Sequence, residues 1–250
     1  MAAVLSSYLI MPIRSFVAIW PLFAGLSFIG LAIGVQGSLL GVRAALEGFD
    51  DILIGLVMSC YFAGFLAGSL FTPRMIQRVG HIRIFAALTA VASVSILIHA
   101  LVIDAWVWAL MRLITGFAFS AIYVVSESWL NQSATNTNRG QVLSVYTTIL
   151  LVGICAGQFM LNLADPAGFT LFILISVMVS VAAVPILLSI VQTPPIEEIE
   201  RVTMRHLWYR TKIGVIAIIM SQFVSSIVFS MGAVYVTRLG FTTYEVANFM

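Results

Sequence analysis

The feature that most constrains this chain is a succession of long, nearly uninterrupted apolar runs. They cover about 16–40, 52–72, 83–103, 105–130, 141–163, 168–191 and 213–237, and a further run starts at Tyr244. A helix needs roughly 20 apolar residues to cross the hydrocarbon core of a bilayer, and each run approaches or exceeds that length. Transmembrane strands would alternate with a period of two, whereas these runs are continuously apolar. Lipid offers no partner for backbone amides, so each segment must satisfy its own, and only a helix does that. Composition agrees: 61% of the 250 residues are hydrophobic and 9% charged, against about 25% charged in a soluble domain. The expected fold is therefore an all-α membrane protein with seven crossings and the start of an eighth.

Charge placement sets the expected orientation. Arg14, Arg74, Arg78, Arg83, Arg139, Arg201, Arg205, Arg210 and Lys212 fall at alternate loops on one side, and Arg43 and Arg238 on the other. Cytoplasmic loops carry the excess of Lys and Arg, which predicts a cytoplasmic N-terminus in a multi-pass plasma-membrane (inner-membrane) protein. Residues 1–13 lack the basic start of a secretory signal and read as a short extension into the first span. The net charge of +2 and the absence of a basic run with interleaved aromatics argue against a nucleic-acid partner. Cys60 and Cys155 both lie in apolar runs, which does not support a disulfide scaffold.

The longest interruption, Gln192 to Lys212, contains Pro194 and Pro195, which end a helix. Acidic Glu197, Glu198 and Glu200 follow, then a basic stretch with Leu207, Trp208 and Tyr209. That stretch reads equally as a helix on the leaflet surface or as a solvated linker. The expected organisation is a six-helix transmembrane bundle over 1–192, a cytoplasmic linker over 193–212, and the start of a second bundle over 213–250. After the linker the pattern begins again: Gly48-Phe49-Asp50-Asp51 can be laid on Gly240-Phe241-Thr242-Thr243, each with side chains able to cap the next helix. Same-orientation repeats of this kind occur in transporters built from two halves.

Between the second and third runs the chain reads Pro73-Arg74-Met75-Ile76-Gln77-Arg78-Val79-Gly80-His81-Ile82-Arg83. This resembles the signature loop of the major facilitator superfamily, G-x-L-a-D-R-x-G-R-R. Arg78 and Gly80 match and Arg83 supplies a nearby base, while Pro73, Gln77 and His81 depart from the pattern. Arg112-Leu113-Ile114-Thr115-Gly116 is similar to the family's R-x-x-x-G motif. Gly153-Ile154-Cys155-Ala156-Gly157 resembles the start of its antiporter motif, but Gln158 replaces the proline, so antiport does not follow. Glu127-Ser128-Trp129-Leu130-Asn131 with Arg139-Gly140 resembles a subgroup of bacterial permeases of mostly unassigned substrate. The resemblance implies a twelve-helix transporter fold, of which this chain spans about the first seven helices.

Within that frame Arg112 is the most informative residue. A charge inside a span costs about 3 kcal/mol or more and normally faces a cavity or a partner. Gln36, Gln158 and Asn162 fall at a similar depth and are expected to satisfy its guanidinium or to line a site with it. Tyr61, Tyr123, Tyr146 and Gln222 also lie deep in their spans and are candidate lining residues. Glu127, the only acid within a span, sits about 22 Å from Arg112 along the same helix. It is expected to form a salt bridge or latch at the cytoplasmic face with Arg78, Arg83 and Arg139, near Gly80; a proton-carrying role is the alternative. The pairs Gly30/Gly34, Gly64/Gly68 and Gly153/Gly157 place small residues four apart, which in membranes signals close helix packing.

No metal-ligand cluster, phosphate-binding glycine loop or nucleophile triad is visible, so no enzyme activity and no cofactor or metal is expected. The expected function is secondary active transport of a small-molecule substrate by alternating access, with protons as a candidate coupling ion. Two rivals remain open at the level of sequence. One is a seven-helix receptor or light sensor, opposed by the charge bias and by Lys212, the only lysine, preceding the last run. The other is a non-transporting membrane scaffold.

Overall fold

The computed structural model describes residues 13–189 and 208–250. The linker prolines and the candidate surface helix up to Leu207 lie outside the described residues. Helix α1 spans Ile13–Leu46, α2 Asp51–Val79, α3 His81–Leu101, α4 Ala105–Ser133 and α5 Arg139–Met160. A 3-10 turn over Leu161–Leu163 leads to α6 (Thr170–Val181) and the short α7 (Val184–Leu188), followed by α8 (Lys212–Arg238) and α9 (Thr243–Phe249). Among the described residues there is no strand, and seven segments are long and apolar enough to cross a membrane, α6 and α7 together forming one of them.

Several helices extend beyond the apolar runs. Residues 73–79, expected in a loop, continue α2, and Gly80 alone separates it from α3. Pro73 lies inside α2. Gly80 then ends the helix with a φ of +86°, its N–H donating to the Ile76 carbonyl at 2.9 Å. The sixth run breaks at Ala182–Ala183 and ends at Leu188, before the prolines that were expected to stop it.

Helix α1 packs against α5, α6 and α8, α2 against α4, and α3 against α4 and α6. The pairing follows from the small-residue stripes. A Cβ added to Gly30 would sit 3.2 Å from Gly153 Cα, and one on Gly157 would sit 3.0 Å from Gly34 Cα. The stripes on α1 and α5 therefore face each other and let the two backbones touch. The core between helices is filled by large side chains such as Trp108, Phe119, Phe172, Leu26 and Ile29. The outer faces are apolar too, with Leu66, Leu70, Ile218 and Val224 all more than half exposed, as a lipid-facing surface requires.

The end of the bundle that carries the α1–α2, α3–α4 and α5–α6 turns is tied by polar contacts. Asp104 caps α4, accepting from the amides of Trp106 and Val107 at 3.0 Å each. Arg43 pairs with Glu47 at 2.6 Å and donates to the Pro166 carbonyl at 3.3 Å, so it joins α1 to the α5–α6 turn. Arg238, at the end of α8, pairs with Asp51 at 3.1 Å and donates to the Phe49 carbonyl at 2.8 Å.

The suspected repeat recurs as backbone geometry. Gly48 and Gly240 have φ of +75° and +83°. Phe49 N–H donates to Ala44 O at 3.1 Å, and Phe241 N–H to Val236 O at 3.3 Å. Gly48 N–H donates to Ala45 O at 3.2 Å, and Gly240 N–H to Thr237 O at 3.0 Å. Each glycine closes its helix in the left-handed conformation. Asp50 then caps α2 by accepting from Ile52 N–H at 3.1 Å, and Thr242 caps α9 in a reciprocal box with Glu245. Two segments 192 positions apart thus fold through the same turn.

Candidate functional site

The R-x-x-x-G segment accounts for an arginine inside the bundle. Gly116 lies so close to α2 that a Cβ there would collide with the Tyr61 carbonyl oxygen. Gly64 and Gly68 return the contact against the Leu113 and Phe117 backbones. One turn before Gly116, the Arg112 guanidinium rests over the Tyr61 ring, 4.3 Å from its centroid. Arg112 is 6% exposed. None of the described hydrogen bonds or ion pairs engages its side chain, and its Nε is buried without a partner.

Beside this pair lies a cavity of about 1000 Å³ bounded by α1, α2, α4, α5 and α8. Six of the residues singled out from the sequence face it: Gln36 on α1, Tyr61 on α2, Arg112 and Tyr123 on α4, Gln158 on α5 and Gln222 on α8; Tyr146 does not, its hydroxyl donating to Glu127 instead. The expected amide partners of the guanidinium are arranged differently. Gln158 Oε1 accepts from Ser38 Oγ, and Gln36 Nε2 is buried without a partner. Asn162 does not reach the cavity, because α5 ends at Met160 and the following 3-10 turn leaves Asn162 exposed. The aromatic ring of Tyr61 holds the cation in their place.

Sequence reasoning did not single out Ser225, Ser226 and Ser230, which line the cavity from α8, or its aromatic wall of Phe62, Phe65, Phe119, Phe223 and Phe229. A signal for the serines was present. Gln222, Ser226 and Ser230 recur every four residues in an otherwise apolar helix, which puts them on one face. The phenylalanines carried no such signal, because a ring lining a cavity and a ring facing lipid read alike.

At the opposite end of the bundle, Glu127 Oε1 accepts from the Tyr146 hydroxyl at 3.1 Å. No ion pair joins Glu127 to Arg78, Arg83 or Arg139 among the described residues, and all three arginines are exposed. Tyr146, two turns along α5 from Arg139, occupies the carboxylate instead. Gly80 makes the α2–α3 turn. His81 is buried against α4, its Nε2 3.1 Å from Ser128 Oγ and its ring 6.2 Å from that of Trp129. Among the described residues no group of three or more His, Cys, Asp or Glu side chains converges as a metal site would need.

Residues 3–250 match the sequence model of the Major Facilitator Superfamily. The chain is 32% identical over 168 residues to an uncharacterized MFS-type transporter of Enterobacter sp. (strain 638), covering 67% of this chain and 44% of that protein. It is 26% identical over 231 residues to the uncharacterized MFS-type transporter YcaD of Escherichia fergusonii, covering 92% of this chain and 60% of that one. A Yersinia pestis MFS-type transporter is 27% identical over 238 residues, with the same coverage of 92% and 60%. The chain thus spans between 44% and 60% of the length of these relatives. With apolar helices paired through glycine stripes around a central cavity, and a family match along nearly its whole length, this multi-pass membrane protein belongs to the Major Facilitator Superfamily.

Proposed function

We propose that this chain carries the first half, and the opening of the second, of a secondary active transporter that moves a small solute by alternating access. The observation that supports this most is the cavity of about 1000 Å³ bounded by α8 on one side and by α1, α2, α4 and α5 on the other. Transporters of two repeated halves bind substrate near the bilayer midplane between the halves. The recurring turn at Gly48 and Gly240 supports such a repeat, with α8 read as the head of the second half. In this reading residues 1–192 form one bundle, 193–212 link it to the next across the cytoplasm, and 213–250 begin the second.

The loop charges favour a cytoplasmic N-terminus and residence in the inner membrane. The buried residues of α8 are Ala233, Val234 and Val236, with Val234 packed on Gly41 of α1. Together with Arg238 on Asp51 and Phe49, they act as the external gate. Arg78, Gly80, Arg83, Glu127 and Arg139 form the cytoplasmic end, which loosens and tightens as the halves rock. If protons drive the cycle, Glu127 with its Tyr146 partner is this chain's carrier.

Arg112→Ala in the full-length transporter, reconstituted in proteoliposomes, is expected to abolish solute flux while the protein still inserts and purifies as a folded species. Transport at the parent rate by that variant would remove Arg112 from the mechanism.

A further inference from the structure

Accepting the cavity as the transport site, we propose that its occupant is an amphipathic organic monoanion: one carboxylate or sulfonate on a flat, apolar body. The first ground is charge. Arg112 is the one side chain charged at neutral pH among the described residues that line the cavity, and among the described residues it is buried without an anionic partner. A buried charge left unpaired is strongly unfavourable, whereas one that meets an opposite charge with good geometry is tolerated. The Tyr61 ring covers one face of the guanidinium but accepts none of its in-plane N–H groups. A guanidinium stacked on a ring keeps its edge free for the two parallel hydrogen bonds that suit a carboxylate.

The second ground is an excess of donors. Gln36 Nε2 is buried with nothing to donate to, as is Arg112 Nε. The Oε1 of Gln158 is already occupied by Ser38, which leaves the Gln158 amide nitrogen as that residue's free group. Two buried donors without partners, one of them on a guanidinium, are completed by a ligand that brings a negatively charged acceptor.

The third ground is the wall. Phe62, Phe65, Phe119, Tyr123 and Phe223 stand around the cavity with Tyr61. Rings of this kind favour flat apolar bodies, which stack edge to face or offset. A sugar, whose hydroxyls need partners on every side, would leave many of them unpaired here. The volume suits one ligand of modest organic size.

The test is a binding measurement on the purified full chain in detergent with three probes that share one ring system: 2-naphthoate, 2-naphthamide and 2-naphthylmethylammonium. Naphthoate is expected to bind at least tenfold more tightly than the amide, and the ammonium least. Arg112→Gln is expected to erase the anion preference, and Arg112→Lys to keep part of it. Equal affinity for the three probes, preference for the cation, absence of naphthoate binding, or an anion preference that survives Arg112→Gln would each overturn the proposal. The wild-type series decides the matter even if a variant fails to fold. Flux in proteoliposomes separates this inference from the transport reading. Anion-selective binding without flux of any solute would leave the inference standing and defeat transport. Flux of amines or sugars with no naphthoate binding would do the reverse.

Discussion

At the scale of single residues, the arginine of span four was legible because charge inside a span is rare and costly. Its partner was not. Sequence position suggested the amides of Gln36 and Gln158, yet Tyr61 takes the guanidinium at 4.3 Å while Gln158 turns to Ser38. A cation over a ring gains about 0.5–2 kcal/mol, and that arrangement leaves the in-plane donors available. Tyr61→Phe keeps the ring face and is expected to bind 2-naphthoate within about twofold of the parent. Tyr61→Ala removes it and is expected to weaken binding about tenfold, since about 1.4 kcal/mol corresponds to a factor of ten. Titration of both variants against the parent checks this, and equal binding by Tyr61→Ala would show that the stacking is incidental. Glu127 gave a similar lesson: its depth in the helix could be read from the sequence, but its choice of Tyr146 over three nearby arginines could not.

Helix positions could be placed from the apolar runs, but their ends could not. Pro73 reads as a breaker, yet α2 continues past it to Val79. A proline in mid-helix removes one hydrogen bond and strains the preceding turn, and the packing of α2 along α4 overrides that local preference. The glycine stripes were legible as packing surfaces; which stripe met which was not. The structure sets Gly30 and Gly34 against Gly153 and Gly157, and Gly64 and Gly68 against the segment around Gly116. Gly116→Val would drive a side chain into the Tyr61 carbonyl. It is expected to cost about 1–3 kcal/mol of stability, as overpacking does, and to displace Arg112. Gly55→Ala is the control: a Cβ there meets nothing within 4 Å, and in a helix it is expected to be neutral or stabilising by about 0.5–1 kcal/mol. Thermal unfolding in detergent should rank Gly116→Val below the parent and Gly55→Ala at or above it.

At the scale of the molecule, α8 joins the first bundle only near its Arg238 end. The Arg238–Asp51 pair is partly exposed, with side chains 42% and 65% accessible, so by itself it is worth little to stability, about 0–1 kcal/mol. Its consequence belongs to conformation. Arg238→Gln is expected to leave unfolding within a few degrees of the parent, yet, with the proposed orientation, to make the cavity easier to reach from the external side. In a background with Cys60→Ser and Cys155→Ser, Ser226→Cys reports on the cavity, and an impermeant maleimide applied outside should label it faster when Arg238 is replaced. Unchanged labelling would mean that this contact is not a gate.

Residue order alone determined that the chain is helical, how many times it crosses a bilayer, which end of the bundle carries the basic loops, and that residues near Gly48 recur near Gly240. All of these depend on local sums, such as apolar length, loop charge and turn chemistry, which a one-dimensional reading contains. Only the tertiary structure decided that six polar and aromatic residues from five helices share one cavity, that the glycine stripes pair as they do, and that Arg112 stacks on the Tyr61 ring. Those facts depend on how helices rotate and cross. Crossing is set by the simultaneous fit of many side chains, and no segment of the sequence holds that information by itself.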